Sequence, residues 1–87
     1  MRVDKFLKIS RIVKRRPVAK AMGDAGRIEI NNQIAKASTP VEVGDYVTIY
    51  FGNKIMTVQV ADLRQTTKKM EAAELYRIIS EKSVENN

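Results

Sequence analysis

The sequence predicts an α+β fold: two N-terminal helices packed on a small, mostly antiparallel sheet, plus one C-terminal helix. Three observations carry this. Apolar residues recur at helical spacing as far as Gly26, alternate with a period of two from there to Val60, and return to helical spacing after residue 66. The 87 residues divide into a domain over 1–60 and a helical extension over 61–87.

Each element has its own signal. Val3, Phe6, Leu7 and Ser10 fall at i, i+3, i+4 and i+7, which predicts a first helix over 3–10 with Lys5 and Lys8 turned away. Ile12 and Val13 anchor a tight connection. Pro17 suits the first position of a second helix, where its missing N–H costs nothing, and it pushes Arg16 into the extended geometry of an N-cap. Val18, Ala21, Met22 and Ala25 repeat the spacing as the apolar stripe of that helix, and Gly26 closes it in the left-handed region. Ile28 and Ile30 then share a strand face, Asn31-Asn32 form a tight turn, and "IAK" returns as a second short strand. A turn at Gly44-Asp45 leads into a strand over 46–51, with Val47, Ile49 and Phe51 on one side. Gly52-Asn53 turns the chain into Lys54–Val60, where Met56, Val58 and Val60 alternate inward. Residues 66–82 read as the third helix, capped by Thr66 or Thr67, with Ala72, Leu75, Tyr76 and Ile79 on one face.

Composition narrows the function. The chain has no cysteine and no histidine, which removes disulfides, thiolate nucleophiles, the usual zinc ligands and the commonest general base. Its acids are scattered singly, its hydroxyls have no histidine to activate them, and its glycines make no phosphate loop. The expectation is a protein without catalysis, metal or cofactor. Charges at Arg2, Asp4, Lys5 and Lys8 break any secretory apolar run, and no stretch is long enough to span a membrane. A soluble, cytoplasmic protein is expected.

Charge is unevenly placed. Residues 1–36 hold ten Lys/Arg against three acids, or +7, whereas residues 37–87 hold six against seven, or −1. A basic half joined to a neutral one points to a single polyanion-binding face. Lys14, Arg15 and Arg16 cluster where the helix dipole already supplies positive charge, which costs about 0.3–1 kcal/mol per exposed cation. A phosphate would offset that cost through the dipole, free N–H groups and the guanidinium groups together. Arg2, Lys5 and Arg11 would flank the same groove, and Arg27 and Lys36 are further candidates from the sheet side. Tyr46, Tyr50 and Phe51 have the spacing of a packed strand, which outweighs a base-stacking role. Asp4 in the first helical turn is good capping chemistry, a simpler reading than a salt bridge orienting Arg2 or Arg16.

These residues resemble a known family. R-x-D-K-x-L (Arg2, Asp4, Lys5, Leu7), a basic helix–turn–helix, G-R-I-x-I-N (Gly26 to Asn31) and V-x-x-G-D (Val41, Gly44, Asp45) are the pattern of the S-four, or αL, RNA-binding domain, covering residues 1 to about 52. "LRQTTKKMEAAELY", at 63–76, is similar to the C-terminal segment of the RqcP family of bacterial ribosome quality control, itself similar to small ribosome-associated heat-shock proteins. The resemblance implies a factor on large ribosomal subunits carrying an obstructed peptidyl-tRNA, in contact with large-subunit rRNA and with tRNA in the P site. There RqcH would recruit alanyl-tRNA for C-terminal alanine tailing. It implies rRNA contacts at Arg2, Arg11, Lys14, Arg15 and Arg16, and the chain is expected to be a monomer when free. Two positions depart from the pattern. Asn32 stands where glycine is common, and Pro17 where a small polar residue is frequent.

Other readings stay open. A free-standing αL protein of ribosome assembly differs only in the C-terminal segment. An αL appendage of an RNA-modifying enzyme requires the chain to be a fragment. A DNA-binding helix–turn–helix would have to read bases from "PVAKAMGDAG" with Lys20 and Asp24 as its main exposed polar groups.

Overall fold

The computed structural model describes residues 1–64, 68 and 70–84. Two helices, α1 (Val3–Ile9) and α2 (Arg16–Asp24), precede five strands: β1 (Ile28–Ile30), β2 (Gln33–Ile34), β3 (Tyr46–Tyr50), β4 (Lys54–Val60) and β5 (Tyr76–Ser83). The strands form one sheet in the order β2-β1-β3-β4-β5, with every neighbouring pair antiparallel. No described helix is long and apolar enough to cross a membrane.

The stripe Val3, Phe6, Leu7 and Ser10 of α1 is buried, as its spacing predicts. The N-cap residue Arg2 makes no side-chain cap, and the first-turn donors are taken by backbone and by Asp4, whose Oδ1 accepts from the Lys5 N–H (2.7 Å). The N–H groups of Val3 and Asp4 donate to the carbonyls of Thr39 (2.8 Å) and Ala37 (3.2 Å), and the Val41 N–H returns to the Met1 carbonyl (2.8 Å). Residues 37–41 therefore strap the first turn of α1. After the helix, Arg11 takes φ 61°, a left-handed conformation that costs a non-glycine residue about 1–2 kcal/mol. The reversal lets the Val13 N–H reach the Leu7 carbonyl at 3.0 Å and delivers Val13 to the core.

α2 begins one residue earlier than expected, with Arg15 as its extended N-cap and Arg16 already helical; Pro17 still lies in the first turn, where no N–H is required. It ends in a Schellman motif: the Arg27 N–H donates to the Met22 carbonyl, the Gly26 N–H to that of Gly23, and Gly26 has φ 74°. Of the expected stripe Val18, Ala21, Met22 and Ala25, only Met22 packs against the core, half-buried, and the other three are exposed. α2 packs instead through Ala19 and Gly23, leaving Val18 48% exposed. Gly23 explains this. A Cβ there would stand 2.6 Å from the Ala37 nitrogen, so the strap approaches α2 too closely for any but its smallest residues.

The sheet follows the period of two. Asn31 and Asn32 take φ 51° and 68°, the pair of positive values a tight β1–β2 hairpin requires. The second strand is Gln33–Ile34, one residue earlier and shorter than "IAK" suggests. The Asn31 side chain ties the hairpin to β3, donating to Asp45 (3.2 Å) and accepting from the Tyr46 N–H (3.0 Å). Asp45 also accepts from the Glu42 N–H (2.8 Å), across a turn in which Gly44 has φ 97°. Val47, Ile49, Met56, Val58 and Val60 are buried as their alternation predicts.

The C-terminal helix expected over 66–82 is corrected by the structure. A 3₁₀ turn, Ala72–Leu75, leads into β5, and the helical extension becomes the fifth strand; the expected caps Thr66 and Thr67 lie outside the described residues. Ala72 and Leu75 are buried, but Ile79 is 47% exposed, so the expected helical face does not exist. The reason is the open edge of β4, whose backbone groups pair along its whole length with a segment rich in strand-favouring Tyr76, Ile78 and Ile79. Ile79 itself sits opposite no residue, as the bulge between the Thr57–Ser80 and Val58–Ile78 pairs.

Three substitutions check this packing. Gly23→Ala lowers unfolding stability in urea by about 1–3 kcal/mol, because backbone must move to admit the methyl group. Leu75→Ala costs about 2–5 kcal/mol, whereas Ile79→Ala, on the outer strand surface, stays within about 0.5 kcal/mol.

Candidate nucleic-acid interface

Asp4 organises the basic surface. Its side chain is 3% exposed and accepts from the Arg2 guanidinium at two atoms, Nε (3.2 Å) and Nη2 (3.1 Å), from Arg16 Nη2 (3.4 Å), and from the Lys5 N–H (2.7 Å). A carboxylate this buried needs such partners; removing one side of a buried pair costs about 3–5 kcal/mol. The ion pairs that the sequence made secondary are therefore present, and they join the start of α1 to the start of α2. Arg2 and Arg16 remain 48% and 44% exposed, with guanidinium donors left over for an outside acceptor.

These residues line a shallow hollow of about 430 Å³ with Pro17 and Lys20. Three cations meet there around one carboxylate already shared between two of them. The sequence names Lys20 only as an exposed group of a DNA-reading helix, not as one of the RNA contacts. The signal that finds it is its position four residues after Arg16, one helical turn along the same face.

The other candidates divide. Lys14 and Arg15 border a second hollow of about 470 Å³, lined by Ile12, Val13, Val18, Met22 and Phe51. Arg27 borders a third, of about 400 Å³, with Pro17, Val18, Ala21, Met22 and Ala25. Arg11 is exposed just past α1, and Lys5 is half-buried on it; neither lines these hollows. Lys36 is exposed at the base of the strap, its N–H bonded to Thr39 Oγ1 (3.0 Å), also away from them.

The free backbone donors expected at the start of α2 are mostly taken. Pro17 has none, and the N–H groups of Val18 and Ala19 both donate to the Arg15 carbonyl (3.1 and 3.2 Å). An anion here would be held by side chains, with at most the Arg16 N–H assisting. The acids elsewhere do not intrude. Arg64 is enclosed by Asp62 (2.8 Å), Glu74 (3.1 Å) and Glu71 (3.8 Å), and its hydrogen bonds to Asp62 and then Glu74 raise its pKa above the ordinary arginine value. It is a staple across the 62–74 segment, not a phosphate ligand. A hollow at the β1–β2 hairpin includes Glu42 and Asp45, the wrong charge for a polyanion.

Comparison with known proteins bears on the family and the fold. The S4 domain model matches residues 1–47. The RQC P-site tRNA stabilizing factor of Streptococcus pneumoniae is 54% identical over 87 residues, covering 100% of this chain and 99% of its own length. The protein of the same name from Bacillus subtilis is 55% identical over 84 residues, covering 97% and 98%. Among solved structures, the trimeric Vibrio cholerae Heat Shock Protein 15 superposes with a TM-score of 0.84 at 32% identity, over 92% of this chain and 82% of that one. That neighbour is a trimer, where the sequence reading expected a free monomer. The S4 match over residues 1–47 and about 55% identity along the whole chain place this protein in the family of RQC P-site tRNA stabilizing factors.

Proposed function

We propose that the chain is a non-enzymatic RNA-binding factor of ribosome-associated quality control, acting in the cytoplasm on large ribosomal subunits that carry an obstructed peptidyl-tRNA. It contacts large-subunit rRNA through its basic face and steadies the tRNA in the P site while RqcH directs C-terminal alanine tailing. One observation carries the reading: Arg2, Arg16 and Lys20 converge around Asp4 on an open surface, which suits phosphate oxygens along a backbone and offers no enclosed site for a small substrate. Its relatives' naming as RQC P-site tRNA stabilizing factors supports the choice of ribosome and tRNA. The candidate RNA contacts are Arg2, Lys5, Arg11, Lys14, Arg15, Arg16, Arg27 and Lys36, to which the geometry adds Lys20.

Purification of the protein from cells, followed by sequencing of the bound RNA, tests the assignment. Large-subunit rRNA together with tRNA supports it, and rRNA precursors without tRNA would favour an assembly role. In binding titrations against salt, Arg15→Ala and Lys20→Ala each lower the slope of log K on log salt by about one unit, with unfolding stability within about 0.5 kcal/mol of wild type. Unchanged slopes would move the interface elsewhere. Asp4→Asn is more discriminating. It makes the chain more positive, so unspecific attraction predicts tighter RNA binding, whereas loss of the groups that aim Arg2 and Arg16 predicts weaker binding. Weaker binding is the expected result.

A further inference from the structure

α2 is packed the wrong way round for an ordinary amphipathic helix. Its smallest residues, Ala19 and Gly23, face the core, while Val18 is 48% exposed, Ala21 and Ala25 are exposed and Met22 is half-buried. The two hollows on this outer face adjoin at Val18 and Met22 and are together called the outer groove of α2. Ile12, Met22 and Phe51 reach it from the edge of the core, and Val18 is its most exposed large apolar side chain. No acid lines the groove. Lys14 and Arg15 border one hollow and Arg27 the other, while Lys54, whose Nζ lies 5.4 Å from the centre of the Phe51 ring, is already paired with Glu81 (3.1 Å). Exposed apolar surface of this kind is stabilised when a partner covers it.

The chemistry of the groove selects the partner. Paired RNA offers phosphates to the cations but keeps the faces of its bases stacked out of reach. A second copy of this chain would set one basic rim against another, with +7 carried by residues 1–36 of each. An unstacked nucleotide supplies what both hollows require: an apolar base face for Val18 and Met22, with a phosphate on either side for Lys14, Arg15 and Arg27.

We infer that the outer groove of α2 receives a single extruded nucleobase, so that the RNA recognised carries an unpaired nucleotide beside a helical segment. This rests on the RNA-binding reading above and adds to it a subsite separate from the Asp4-centred cluster.

The test uses the full chain and two RNA hairpins, one fully paired and one with a single unpaired adenosine replaced by 2-aminopurine. Wild type should prefer the unpaired hairpin by about tenfold, the scale of stacking one base on a protein surface. The 2-aminopurine fluorescence should rise on binding as the base leaves the stack. Val18→Ser, on the exposed surface, and Met22→Gln, which keeps side-chain length, should abolish both effects and leave affinity for the paired hairpin and the salt slope unchanged. Lys20→Ala should weaken both hairpins alike. Equal wild-type affinities, or a preference that survives in both variants, would overturn the subsite while leaving RNA binding intact. A change in oligomeric size caused by Val18→Ser, with the preference retained, would assign the groove to contacts between copies and also overturn it. Binding of neither hairpin would remove the RNA reading itself and the subsite with it.

Discussion

The Asp4 carboxylate, 3% exposed in the first turn of α1, accepts from Arg2 on its own side and from Arg16 on α2. Much of the surface depends on that arrangement. An isolated buried carboxylate would be expensive to ionise in place, so the two guanidinium groups are required by the fold before any RNA is present. Each keeps nearly half of its surface in solvent. One buried anion thus holds two cations at a set separation. An incoming phosphate meets them already ordered, with less side-chain entropy left to lose on binding.

A second constraint is the close approach of α2 to the strap at residues 37–41. The strap closes the start of α1 through the Thr39 and Ala37 carbonyls, and the same Ala37 leaves no room for a side chain at Gly23. The same stretch of backbone therefore caps one helix and sets the rotation of the other. With α2 turned so that Ala19 and Gly23 face inward, Arg16 reaches Asp4 and Val18 is left outside. The basic hollow and the outer groove are two sides of that single rotation.

Local chemistry made much of this legible in advance. The α1 stripe, the Asn31-Asn32 turn and the alternation through β3 and β4 depend on periodicity and on backbone preferences that neighbours in sequence express. The cations were legible as a charge imbalance, and Arg2 and Arg16 do converge in one hollow. Lys20 is legible as an exposed group of the second helix but not as a phosphate ligand, because a lone lysine on a helix is ordinarily solvated; its distance of one turn from Arg16 is the signal that places it there. For Asp4 the sequence offers both a capping role and a salt bridge to Arg2 or Arg16, and favours the first because an acid in a first turn explains itself locally. The structure has both, with the Lys5 N–H and the two guanidinium groups on one carboxylate.

What the sequence determined by itself was the identity and order of most elements, the absence of histidine and cysteine chemistry, and the placement of positive charge in the N-terminal half. Only the tertiary structure decided which face of α2 is covered and what becomes of the C-terminal segment. Both turn on contacts between distant residues. The row Val18, Ala21, Met22 and Ala25 has the spacing of a core stripe, yet the strap passes too close for it. Ala72, Leu75, Tyr76 and Ile79 likewise have the spacing of a helix face, yet the unpaired edge of β4 offers a whole strand of hydrogen bonds. Periodicity records which residues can share a face; whether that face is buried depends on backbone brought alongside by the rest of the fold.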